Sequence, residues 1–307
     1  MIDPFVRTDG EETGADRLRA SLSRGDALAG TVGPILRHLL ANSSGAIFGD
    51  QVLARVRGMA EHLAHHFIDG PDPAAERLES LTATLLDQPR VLAHLHALSI
   101  EWQWTEWLEQ RFGIDPVAPP LLHDAIASPV AETHNAGTRL LARQARWCQA
   151  QRRMQLEPGE LPAEILQDAM LALRAHGADG GPVSDAEARI RSTFDEGAGR
   201  LGLSGRLISG LGADNEAALD LARAGPSLFF TALTAASGQN RDGLLLSTHG
   251  AQTIRLVLAL RSAGLDGGQV ARQMLMLHPD AIVPDGLDAL TPYQAAAMLG
   301  DPDRGGH

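Results

Sequence analysis

Apolar residues recur along this chain with the 3.6-residue beat of an α-helix, and nowhere for long with the two-residue beat of a half-buried strand. In one early stretch Val52, Val56, Met59, Leu63 and Phe67 fall on a single helical stripe. Leu and Ala carry most of the apolar content, which is 44% of 307 residues, while aromatic residues make up only 4%. Leu and Ala are strong helix formers, whereas aromatic and β-branched residues favour strands. Period and composition together predict an all-α fold, built as two helical blocks of antiparallel helix pairs in a bundle or irregular helical-repeat architecture.

The period predicts helices over about 15–23, 28–41, 49–68, 73–86, 88–112, 118–127, 129–155, 160–176 and 184–200, with shorter ones beyond. Their ends are marked by Gly and Pro in "IDGPDPAAE" and "FGIDPVAPP", and by Ser184 as a helix N-cap with Glu187 three residues on. The glycine-rich stretch "RAHGADGGPVSD" reads as a seam, which divides an amino-terminal block over 15–176 from a carboxy-terminal block over 184–300. Residues 1–14 and 301–307 are polar and rich in Gly, Asp and Pro, so they read as disordered ends.

Three of the four tryptophans lie in "IEWQWTEWLEQ". On a helical projection Ala93, Ala97, Ile100, Trp104, Trp107 and Leu108 share one stripe, and Val91, Leu95, Leu98 and Trp102 share the opposite one. A helix that is apolar on two sides belongs at the centre of a bundle. Trp104 and Trp107 therefore read as core residues, and Trp102, flanked by Thr105, Glu106 and Glu109, as the one to be partly exposed.

Charge and residue choice limit the chemistry. All 26 positive side chains are arginine, because the chain contains no lysine. That removes lysine Schiff-base chemistry and the lysine-bearing phosphate loops. A formal charge of -12 argues against general nucleic-acid binding. The single cysteine, Cys148, excludes an internal disulfide framework and multi-cysteine metal sites, and it reads as a buried structural thiol. No secretory leader is evident in the acidic first residues and no run of eighteen apolar residues occurs, so the expected setting is the cytoplasm, with no membrane and no cofactor.

Three groups of residues are candidates for chemistry. In "EHLAHH", His62 and His66 stand one turn apart, but no third ligand is identifiable and no metal site is expected there. The doublet His123–Asp124 resembles the His-Asp pair of the helical HD-domain metal phosphohydrolases. That resemblance implies a metal site completed by His94 (or His96) upstream and Asp168 downstream, acting on a phosphate ester.

The third group is an arginine run. Between Thr133 and Leu156 there are five arginines and no acid, and Arg139, Arg143, Arg146 and Arg153 fall on one side of the helix. Arginine captures carboxylates and phosphates in bidentate fashion, which makes this face a candidate dock for an acidic protein partner or a phosphorylated ligand. The alternative is that acids of the neighbouring "EPGELPAEILQD" cover it with internal ion pairs.

In the carboxy-terminal block, Arg223, Gly225, Leu228, Phe229, Ala232, Leu233, Ser237, Gly238 and the triplet Ala263, Gly264, Leu265 form a pattern. Over residues 185–278 it resembles an uncharacterised alphaproteobacterial helical family, domain of unknown function 2336. The resemblance implies a helical, repeat-like protein and carries no catalytic residues. The expected role is thus a non-enzymatic cytoplasmic interaction or regulatory protein, with the HD-type phosphohydrolase as the alternative.

Overall fold

The computed structural model describes residues 14–42, 50–68, 75–176, 183–249, 252–279 and 287–300. Among them the chain forms α-helices and short 3₁₀ turns, and no strand. The helices are α1 (Gly14–Asn42), α2 (Asp50–Phe67), α3 (Ala75–Leu86), α4 (Pro89–Phe112), α5 (Pro120–Ile126), α6 (Ala131–Arg152) and α7 (Ala163–His176). They continue as α8 (Val183–Thr193), α9 (Arg200–Gly210), α10 (Leu221–Ser237), α11 (Arg241–Leu246), α12 (Thr253–Ser262), α13 (Gly267–Leu277) and α14 (Pro292–Leu299). The all-α class read from the period is the class observed. Of the ends read as disordered, 1–14 and 301–307, Gly14 opens α1 while 1–13 and 301–307 lie outside the described residues, as do 177–182 of the glycine-rich seam.

Two helices differ from the periodic reading. α1 is one helix where two were predicted, and it runs through Gly25, Gly30, Gly33 and Pro34. Leu18 and Leu22 are buried at one end of it and Leu36 at the other, while Asp26 in the middle pairs with Arg255 of α12 at 2.9 Å. Anchors along its whole length outweigh the roughly 1 kcal/mol that each interior glycine costs. α8 begins at Val183, so Ser184 lies inside its first turn, and Glu187 pairs with Arg174 and Arg191. It stops at Thr193, because the Asp195 carboxylate accepts the Ala198 N–H at 3.1 Å and starts a separate 3₁₀ turn.

The apolar side chains form two main cores. One gathers Leu36 of α1, the stripe of α2, α3, the first half of α4, α7 and Ile190 of α8. The other gathers Leu18 and Leu22, Leu108 of α4, α5, Leu140 of α6 and the helices from α9 onward. α4 belongs to both, as expected of a helix that is apolar on two sides.

A buried ionic cluster fastens α4 to the later helices. Glu101 is fully buried and receives four hydrogen bonds: two from Arg200 of α9, at 2.7 and 3.2 Å, and two from Arg241 of α11, at 3.0 and 2.8 Å. Arg200 also donates to Ser227 Oγ at 2.6 Å, and its guanidinium lies 4.0 Å from the Trp147 ring centre. Its Nε stands 4.0 Å from Glu160, so a second acid helps to balance the two guanidinium groups. Burial alone would raise the Glu101 pKa, but the charges and hydrogen bonds of Arg200 and Arg241 hold it down at about 2.

Removing one partner of a buried ion pair strands the other. The isosteric change Glu101→Gln should therefore destabilise the fold by about 3–5 kcal/mol, read as a lower urea midpoint. The folded pKa lies below the ordinary 4.5, so this stabilisation is complete above that value and erodes as pH falls toward about 2. The stability gap between wild type and variant should narrow across that window. A gap that stays constant down to pH 2 would mean Glu101 is not held ionised.

Candidate functional site

The candidate face is built on α6. Its inner side, Gly137, Leu140, Gln144, Trp147, Cys148 and Gln151, is buried. At Gly137 an added Cβ would stand 3.2 Å from Ala125, tighter than an ordinary contact, so a larger residue would push α6 and α5 apart by a few tenths of an ångström. Gln144 Nε2 donates to the Pro116 carbonyl at 2.9 Å, and the Arg55 guanidinium of α2 donates to the Gln151 carbonyl. Trp147 packs edge-on against Trp102 of α4, with ring centres 5.6 Å apart. The inner side is therefore held by α2, α4 and α5 together, which fixes the direction of the outer one.

On that outer side Arg139, Arg146 and Arg153 are exposed and Arg143 is half-buried. The stripe spans about 21 Å at 1.5 Å per residue. Among the described residues none of the four makes an ion pair or a side-chain hydrogen bond. Of the acids expected to cover them, Glu164 and Asp168 both pair with Arg90 of α4, at 2.8 and 3.2 Å, Glu160 faces Arg200, and Glu157 forms no ion pair with any of the four. Arg143 comes near enough to Glu160 to oppose the upward shift that burial gives that carboxyl, without forming an ion pair.

The HD-type candidates are not brought together. His94 is buried, and its Nδ1–H donates to Asp242 at 2.8 Å. His123 and Asp124 are exposed on α5, where Asp124 pairs with Arg223 of α10. Asp168 is held by Arg90 on α7's side of α4. His96 is buried near His249 with ring centres 6.3 Å apart, and burial, then His249, lowers its pKa to about 4. His62 donates to the Leu156 carbonyl at 2.9 Å and meets His66 edge-on at 4.8 Å. Among the described residues no group of three or more His, Cys, Asp or Glu side chains is placed to hold an ion.

Trp102 departs from its expected place, while Trp104 and Trp107 pack against the second core but only in part. Trp102 is 1% exposed, enclosed by Trp147 and by the Arg55 guanidinium 5.4 Å from its ring centre. Trp104 and Trp107 are half-buried and line an open cavity of about 490 Å³ with Gln51, Gln103, Glu106, Gln110, His249 and His278. A helical projection assigns stripes, but it does not say what covers each one. α6 covers Trp102 through Trp147, whereas Trp104 and Trp107 meet the second core on one side and the cavity on the other.

The patterned glycines of the carboxy-terminal block have structural roles. Gly225 breaks α10 with φ 63°, and an added Cβ there would meet the Pro119 ring at 3.3 Å. Leu228, Phe229, Ala232 and Leu233 beside it are buried.

Cys148 is fully buried, and burial pushes its pKa up to about 12 against the opposing charge of Arg200. In native buffer it should react with a thiol reagent no faster than the chain unfolds, and rapidly once urea is added; fast modification of the folded protein would contradict this burial. No helix among the described residues is long and apolar enough to cross a membrane. No protein-family model, no curated protein and no solved structure matches this chain.

Proposed function

We propose that this chain is a non-catalytic, cytoplasmic binding protein that docks an acidic segment of a partner protein on the arginine face of α6. One observation carries the reading: in a chain of formal charge -12, Arg139, Arg143 and Arg146 stand on one rigid helix, with Arg153 at its C-cap, and none has an acidic partner among the described residues. Guanidinium groups present paired donors that match carboxylates, and a stripe about 21 Å long suits an extended or helical acidic segment better than a single small anion. The rest of the molecule is acidic in balance, so the face is the place where a negative partner meets least repulsion. The family resemblance over residues 185–278 belongs to the same proposal and adds no catalytic residue. The dispersal of His94, His123, Asp124 and Asp168 gives the phosphohydrolase reading no support.

The test is a fluorescence-anisotropy titration with a labelled oligoglutamate peptide. Wild type should bind it with an affinity that falls as salt rises, and the triple change Arg139→Glu, Arg143→Glu, Arg146→Glu should weaken binding about tenfold or more. The helical circular dichroism should stay unchanged, because Arg139 and Arg146 are exposed and the half-buried Arg143 forms no ion pair. Equal binding by the triple variant would refute the face. Displacement of the peptide by millimolar inorganic phosphate would instead assign the stripe to small phosphorylated ligands.

A further inference from the structure

The cavity beside Trp104 and Trp107 lies apart from the arginine face and has a different chemistry. Gln103, Trp104, Glu106, Trp107 and Gln110 come from the last turns of α4, Gln51 from the start of α2, and His249 and His278 from the chain just after α11 and α13. Both indoles are pinned by their polar edges. Trp104 Nε1–H donates to Thr248 Oγ1 at 2.8 Å and Trp107 Nε1–H donates to the Met276 carbonyl at 3.0 Å. His278 in turn donates to the Thr248 carbonyl and stands edge-on to Trp104, with ring centres 5.3 Å apart. With their N–H groups bonded to the protein, the indoles offer the cavity only hydrocarbon surface.

Around this aromatic floor stands a polar rim of exposed and half-buried side chains. The side chains of Gln51, Gln103, Glu106 and Gln110 make no hydrogen bond or ion pair among the described residues. Each carboxamide supplies both a donor and an acceptor, the combination that pairs with hydroxyl groups. No arginine lines the cavity, and of its two histidines His278 spends a ring N–H on the Thr248 carbonyl while burial, then His278, lowers the pKa of His249, so the site offers an anion little. Its one carboxylate, Glu106, is felt by the buried Arg55 behind it, which mutes the attraction for a cation. A volume of about 490 Å³ falls in the range of small-molecule sites.

We propose that this cavity binds a neutral saccharide, its ring seated by one C–H face on Trp104 and Trp107 and its hydroxyls held by Gln51, Gln103, Glu106 and Gln110. A sugar ring has the two properties the site demands: an apolar face that stacks on an indole, and a periphery of groups that both donate and accept. A flat apolar ligand would cover the indoles but make no use of the amide rim, and an ion would find little field.

Isothermal titration calorimetry on the full chain tests this with glucose, N-acetylglucosamine, maltose and cellobiose, and with tetramethylammonium chloride as the cationic probe. At least one saccharide should bind saturably, with a Kd on the order of 1 mM that does not change with added salt. Trp107→Ala should weaken it about tenfold or more. In case that change loosens α13, the paired change Gln103→Ala with Gln110→Ala, on the rim alone, should do the same while leaving the fold intact. Arg139→Glu should bind as wild type does. The proposal is overturned if none of the four saccharides binds, if the rim variant binds as tightly as wild type, or if tetramethylammonium binds in their place.

Discussion

Two guanidinium groups closing on one buried carboxylate hold this fold together at its middle. Glu101 sits halfway along α4, and the arginines that meet it come from α9 and α11, far along the chain. An uncompensated charge at this depth would cost several kcal/mol, so none of the three groups is stable there without the others. Each hydrogen bond constrains direction as well as distance, and four of them around a planar carboxylate leave one arrangement of α4, α9 and α11. Hydrophobic packing could tolerate small slides between these helices. The ionic cluster does not.

Both candidate surfaces inherit their geometry from that fixed point. Arg200 lies over the Trp147 ring, and Trp147 is on the inner side of α6, so the cluster sets which way the outer arginines face. The saccharide cavity hangs on the far end of α4, where Trp104 and Trp107 reach Thr248, just past the α11 that carries Arg241, and Met276 near the end of α13. A change at Glu101 would thus blur two surfaces that share no residue.

The sequence exposed part of this and hid the rest for a definable reason. Period and composition are local, so the helices and the all-α class were legible, and the two apolar stripes of α4 correctly placed it between cores. The arginine stripe was legible too, since five cations without an acid need no tertiary knowledge. What covers a stripe is not local. Trp102 looked exposed beside Thr105 and Glu106, yet α6 lies over it, and Trp104 looked buried although it flanks an open cavity. One signal was present and unread: Glu101 is an acid between Ile100 and Trp102 on a helix apolar on both sides, which demands a buried cation. Which arginines of the 26 answer that demand cannot be found from spacing, because both lie about a hundred residues or more away.

The absence of lysine connects the interior to the surface. Arg200 donates to a carboxylate and a hydroxyl while stacking on an indole, a set of contacts that a planar guanidinium supports and a compact ammonium does not. In the core those contacts are dry and fixed, and removing one partner threatens the fold. On α6 the same chemical group stands in water, where each pair contributes about 0.2–1 kcal/mol and is weakened by salt. Binding there has to come from several arginines acting together on one partner and must be reversible. One residue type therefore does opposite work in two dielectric settings, and it is the depth of burial rather than the kind of cation that separates the strut from the dock.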